Sequence, residues 1–146
     1  MILPLLIGSF IIILSVVIQA SGNVYWLKKI SPRFKKKRTI YSSKVALRFL
    51  SLSFVFFSIL HFIQTWLWAF AYMLIPETRV LFSSFTEAWY FSLITFTSLG
   101  YGDLTLTENW RLLSGIEAIN GIMLIGWSTA MMYSLIQQIY KSLNSN

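Results

Sequence analysis

The chain has no cysteine, a single histidine and only five acidic residues among its 146 positions. Without cysteine there are no disulfides and no thiolate metal sites. His61 alone cannot build a metal centre within one chain, and no nucleotide-binding motif or nucleophile–base arrangement stands out, so neither an enzyme nor a bound cofactor is expected. No apolar stretch carries arginines at regular three-residue spacing, which removes a voltage sensor. There is also no Gly/Ser linker and no internal repeat, which leaves one domain over residues 1–146.

Apolar sequence takes the place of what is missing. Hydrophobic residues make up 56% of the chain and the mean hydropathy is +0.66, values that do not suit a soluble globule of this size. Three runs, residues 1–27, 45–75 and 110–140, each exceed the roughly 20 residues that a helix needs to cross about 30 Å of hydrocarbon. A buried soluble helix accounts for one such run. Three of them leave too little polar sequence to cover them all, so an all-α membrane protein with three spans is expected. The first run lacks the positively charged start of a signal peptide.

Charge sets the expected orientation. Nine of the 12 lysines and arginines lie between Lys28 and Arg48. A basic loop over residues 28–44 between two spans predicts a cytoplasmic position there, with the N-terminus outside and the C-terminus cytoplasmic in a cell membrane. A nucleic-acid patch is the competing explanation of such a run, but this one is short and pinned between spans, so no nucleic-acid partner is expected. All five acidic residues fall between Glu77 and Glu117, which makes the outer face modestly negative and raises the local cation concentration.

Between the second and third runs lies a segment of another kind. Pro76 ends the second span. Thr86 followed by Glu87 predicts the start of a helix that continues to Thr97. Such a helix is about 16 Å long at about 1.5 Å per residue, or half a bilayer. Its return strand, "SLGYGDL", cannot face lipid with unsatisfied backbone and must line water, ions or protein. Gly100 and Gly102 can alternate with Leu99 and Tyr101 in positive-φ conformations that other residues resist. Alternation of this sort can turn successive carbonyls toward one side.

At this point a family resemblance emerges. "YFSLITFTSLGYGD", ending in SLGYGD, resembles the potassium channel pore, whose signature reads T-V-G-Y-G-D. The similarity covers roughly residues 84–135, and a single pore loop on a three-span chain looks like the small bacterial potassium-channel-like proteins. The resemblance implies a pore helix over 86–97, a selectivity filter over 98–103 and four copies around one axis, with K⁺ as the permeant ion and membrane lipid as the surroundings. It places Ser98, Leu99, Gly100, Tyr101 and Gly102 on the filter, with K⁺ held by carbonyls of Ser98, Leu99, Gly100 and Tyr101, and it puts Asp103 at the outer mouth. Tyr90 and Phe91 fall on the aromatic pair around the filter, Thr95 and Thr97 on its threonines.

Departures from the pattern are specific. Ser98 replaces threonine and keeps the hydroxyl. Leu99 replaces valine and adds volume that pore-helix packing must accommodate. Tyr90 stands where tryptophan is usual, with a hydroxyl able to reach Asp103. Ile94 replaces a glutamate that some members bury behind the filter. The expected function is passive, K⁺-selective conduction. A weakly selective cation channel and a non-conducting subunit that keeps the pore fold are the alternatives.

On the third span, Gly121 and Gly126 are candidates for a gating bend or for close helix packing. Met123, Gly126, Ala130 and Ser134 share the face that would line a cavity. Glu117 either faces that cavity or leans on the pore helix, with Thr95, Asn120 or His61 as partners, and four close carboxylates in a cavity would be costly. His61 is expected as a hydrogen-bonding core residue more than a pH sensor. Trp66, Trp68, Tyr72, Trp89 and Trp110 are expected mostly at the membrane interface or around the filter. The first span is expected on the lipid side, bracing the second.

Overall fold

The computed structural model describes residues 2–35, 43–107 and 109–143. Residues 36–38 of the basic run and Glu108 lie outside them. The chain's secondary structure among the described residues is all helix, as α1 (Ile2–Lys35), α2 (Ser43–Leu74), α3 (Pro76–Arg79), α4 (Phe85–Phe96) and α5 (Arg111–Leu143). Three of these, α1, α2 and α5, are long and apolar enough to cross a membrane. This is a multi-pass membrane protein with an all-α, channel-like architecture.

Helix ends follow from local chemistry. Pro76 stands in the first turn of α3 and stops α2 at Leu74. The Thr78 hydroxyl donates to the Tyr72 carbonyl at 2.6 Å and turns the chain back. The start of α4 differs from the expectation. Ser84, not Thr86, is the N-cap, its backbone extended and its Oγ accepting the Glu87 N–H at 3.2 Å. Glu87 reaches back to accept from Ser83 N at 2.6 Å and Ser83 Oγ at 2.5 Å, a reciprocal cap of the kind that anchors helix starts. At the other boundary, α1 continues beyond residue 27 to Lys35, so part of the expected basic loop is helix.

Packing centres on α4, which is wedged between α2 and α5. Phe91 sets its edge on the Tyr72 ring, 5.3 Å between centroids, and Phe82 closes on both. Trp68, Tyr72 and Trp110 are buried in this core. Their rings fill the space that a half-length helix leaves behind it. Trp66 is exposed, and half-buried Trp89 donates from Nε1 to Thr65 Oγ1 at 3.0 Å.

The first span also departs from expectation. α1 packs mainly on α5 and only secondarily on α2. Gly8 permits the close approach, since a Cβ there would press on the Ile116 and Leu113 side chains. A polar ladder runs through the same joint. Gln64 Nε2 donates to Gln19 Oε1 at 2.9 Å, Gln19 Nε2 donates to Ser128 Oγ at 2.9 Å, and the three residues come from α2, α1 and α5. Apolar periodicity does not reveal this ladder, because its three residues lie on three different spans and meet only when the helices pack.

Candidate functional site: the α4 helix and its return strand

α4 spans only Phe85–Phe96, too short to cross a bilayer. After it the backbone changes character. Thr97 is still right-handed, whereas Ser98, Gly100 and Gly102 have φ of 58°, 49° and 79°. Left-handed residues therefore alternate with Leu99 and Tyr101 along the strand. Two of the three are glycines, which adopt this region at little cost. Ser98 is the residue the sequence reading did not single out for it. It follows the helix C-cap, where a left-handed residue commonly ends a helix and glycine is usual. Its N–H donates to the Thr95 carbonyl at 2.9 Å, and the Gly100 N–H donates to Ile94 at 3.0 Å, so the last carbonyls of α4 stay occupied.

The expected site residues separate by depth. Phe91 is buried, Thr95 is half-buried, and the Thr97 hydroxyl turns back to the Leu93 carbonyl at 2.7 Å. Leu99 and Tyr101 are 57% and 68% exposed. Within the single chain Leu99 is therefore left largely uncovered. Tyr90 donates from its hydroxyl to Asp103 Oδ2 at 2.8 Å, bridging the helix to the far end of the strand. That bond raises the Tyr90 pKa, and the Ser83 hydroxyl and N–H hold Glu87 below the usual carboxylate range.

Behind α4 lies a cluster that sequence reasoning located only in part. Glu117 of α5 is fully buried and leans on α4. Its partners are none of the three expected. The Tyr72 hydroxyl donates to Oε2 at 2.5 Å, and the Ser92 hydroxyl meets Oε1 at 2.5 Å. Ser92 Oγ also lies 2.9 Å from the Thr65 carbonyl, so one serine joins α4 to both α2 and α5. Helical spacing explains the substitution of partners. Ser92 lies on the face of α4 turned toward the core with Ala88, whereas Thr95 faces the groove beside the return strand. Glu117 therefore occupies the space behind the helix and not an aqueous cavity.

The two glycines of α5 differ. A Cβ on Gly121 would run into the Phe96 carbonyl, so Gly121 is the point where α5 backs onto the end of α4. Gly126 has open space beside it. Met123, Gly126, Ala130 and Ser134 are all exposed in the single chain. His61 sits beside the ladder, its Nδ1 3.0 Å from Gln64 Oε1 and its ring against Phe96.

No curated protein and no solved structure gives a significant match to this chain. The sequence profile of a family described as "Ion channel" matches residues 49–138, more than half of the chain, taking in α4, the return strand and most of the two spans that flank them. The chain belongs to this ion channel family.

Proposed function

We propose that four copies of this chain form a potassium-selective channel in a cell membrane, with the return strand as its filter. The observation that carries this reading is the alternation of left-handed backbone at Ser98, Gly100 and Gly102 immediately after a half-length helix. One chain supplies one such strand. Four strands around an axis would present rings of carbonyl oxygens from Ser98, Leu99, Gly100 and Tyr101, which replace the hydration shell of K⁺. The C-terminal end of α4 carries a partial negative charge that favours a cation at its tip. Asp103, held by Tyr90, adds negative charge at the mouth, and occupancy of several adjacent sites keeps exit fast. Conduction is passive.

The exposed Leu99 and Tyr101 side chains find their cover on neighbouring copies in this arrangement. The face of Met123, Gly126, Ala130 and Ser134 lines the inner cavity. Gly126, with free space beside it, is the better place for α5 to bend, while Gly121 serves close packing. The N-terminus lies outside and the C-terminus in the cytoplasm, as the basic segment after the first span directs.

A weakly selective cation channel is the second reading, favoured by Ser98 and Leu99, which lack the β-branched stiffness of threonine and valine. Flux from liposomes under a K⁺ gradient, with Na⁺ substituted and Ba²⁺ added, separates the two. The potassium-selective reading predicts K⁺ flux blocked by Ba²⁺ and little Na⁺ flux. Equal Na⁺ and K⁺ permeability assigns the second reading, and absence of any flux assigns a non-conducting subunit.

A further inference from the structure

The end of the molecule remote from the return strand carries a site that conduction does not use. Where α1 leaves the membrane and α2 enters it, a groove of about 250 Å³ lies between the two helices, lined by Trp26, Lys29, Phe49, Leu52, Val55 and Phe56, with Ile59 at its deep end. Its floor is fixed. The Trp26 ring stacks on Phe56 at 4.4 Å and 11°, and Trp26 Nε1 donates to Ser53 Oγ at 2.9 Å. Ser53 in turn donates to the Phe49 carbonyl at 2.8 Å. Lys29 at the rim is held over Tyr25 and Trp26, with Nζ 5.6 and 6.0 Å from the ring centroids.

One stripe of α2 lines this groove with Leu52, Val55 and Ile59, continues beyond its rim toward the start of α2 with Arg48 and Lys44, and changes character along its length. Lys44, Arg48, Leu52, Val55 and Ile59 succeed each other at helical spacings of three and four residues, so they share a face. All five are exposed. The stripe begins with two cations and continues as three aliphatic side chains. From Arg48 to Ile59 it rises about 16 Å at about 1.5 Å per residue, close to the depth of one leaflet of a hydrocarbon core about 30 Å thick. No aspartate or glutamate occurs in residues 1–76, so this end of the chain offers its cations no carboxylate side chain of its own.

We infer that this groove is a binding site for a phospholipid with an anionic headgroup, its phosphate held by Lys29 and Arg48 and one acyl chain lying along Leu52, Val55 and Ile59. Charge complementarity selects the headgroup, and the change from cationic to aliphatic along the stripe matches the order of groups in a phospholipid entering from its own leaflet. A neutral lipid would leave Lys29 and Arg48 without a counter-charge. The site stands whether or not the filter conducts, because it uses only the membrane-spanning helices α1 and α2.

The test counts phospholipid retained per chain, by native mass spectrometry of the full-length protein released from detergent after exposure to phosphatidylglycerol or phosphatidylcholine. The wild type is expected to retain phosphatidylglycerol at least tenfold over phosphatidylcholine. Lys29→Gln and Arg48→Gln each lower that retention several-fold, and the double variant brings it to the phosphatidylcholine level. Leu52→Trp, which fills the groove without touching its charge, lowers it as well, and Arg111→Gln, on α5, leaves it unchanged. Equal retention of the two lipids by the wild type overturns the inference. So does full retention by the double variant, which would leave these cations only their role in orienting the chain. Displacement of the lipid by millimolar inorganic phosphate would mark a plain phosphate site, and efficient cross-linking of two Leu52→Cys copies would give the groove to a second chain. Either outcome overturns the lipid assignment.

Discussion

Glu117 and Gln19 are both fully buried polar residues on membrane-spanning helices, yet they hold their surroundings differently. Near the return strand, a carboxyl group takes two hydroxyl contacts at 2.5 Å, from Tyr72 on α2 and Ser92 on α4. Toward the other end, the Gln64–Gln19–Ser128 ladder uses neutral amides at 2.9 Å. The first cluster clamps a short helix that cannot hold itself in a bilayer. The second joins three helices that each cross the membrane unaided, so its amides serve register more than insertion. The difference places rigidity behind the return strand and leaves the weaker joint beside Gly126, where α5 has open space.

Breaking the clamp gives the largest effect. Glu117→Leu strands the Tyr72 hydroxyl in an apolar core and removes one of the two contacts of Ser92, for an expected loss of about 2–4 kcal/mol from two disrupted buried groups. Thermal unfolding in detergent, followed by size exclusion, reads it. Glu117→Gln keeps an acceptor for one hydroxyl and is expected to lose less than half as much. Equal stability of wild type and Glu117→Leu would refute the clamp.

Gly121→Ala comes next. Its methyl meets the Phe96 carbonyl, so α5 must move away from the end of α4, at an expected cost of about 1–3 kcal/mol typical of overpacking. Gly126→Ala meets nothing among the described residues. It is expected to leave thermal stability unchanged while altering the open fraction of reconstituted channels, a contrast that separates the packing glycine from the bending one.

The ladder sharpens the comparison further. Gln19→Leu and Gln64→Leu are each expected to cost about 0.6 kcal/mol, the average for hydrogen bonds between membrane helices. The double variant should lose less than their sum, because no amide is then left facing an apolar partner. Additive losses in that cycle would show that the two glutamines do not act as a pair.

The smallest effect concerns the outer rim. The Ser83 contacts depress the Glu87 pKa. The carboxylate cap is therefore complete above the ordinary Glu pKa and is lost as pH falls through the depressed value. Exchange of the first amides of α4 should accelerate only over that acidic interval, and Ser83→Ala should move the onset to higher pH. An onset that does not move would contradict the cap.

Most of this architecture is legible in the sequence, and the exceptions are instructive. The three spans follow from apolar length, and the half-length helix follows from Pro76, Glu87 and the glycines. Gly100 and Gly102 announce their backbone by residue type, but Ser98 does not, since its left-handed turn is imposed by its place after the helix C-cap. The position of Glu117 against α4 was foreseeable from the cost of a buried carboxyl group. Its partners were not, because Tyr72 and Ser92 are ordinary residues until the crossing of α2, α4 and α5 brings them together. Likewise, Gln19, Gln64 and Ser128 are separated by long stretches of sequence, and only packing makes them a ladder.

The central claim is that four return strands strip water from K⁺ with the carbonyls of residues 98–101. Ion density along the symmetry axis of the assembled protein, measured in K⁺ and again with Na⁺ replacing it, tests this most directly. The account predicts a fourfold assembly with a row of axial ion peaks level with Ser98, Leu99, Gly100 and Tyr101 in K⁺, and loss or rearrangement of that row in Na⁺. An assembly without fourfold symmetry, or an axis empty of ions at those carbonyls in K⁺, would contradict it.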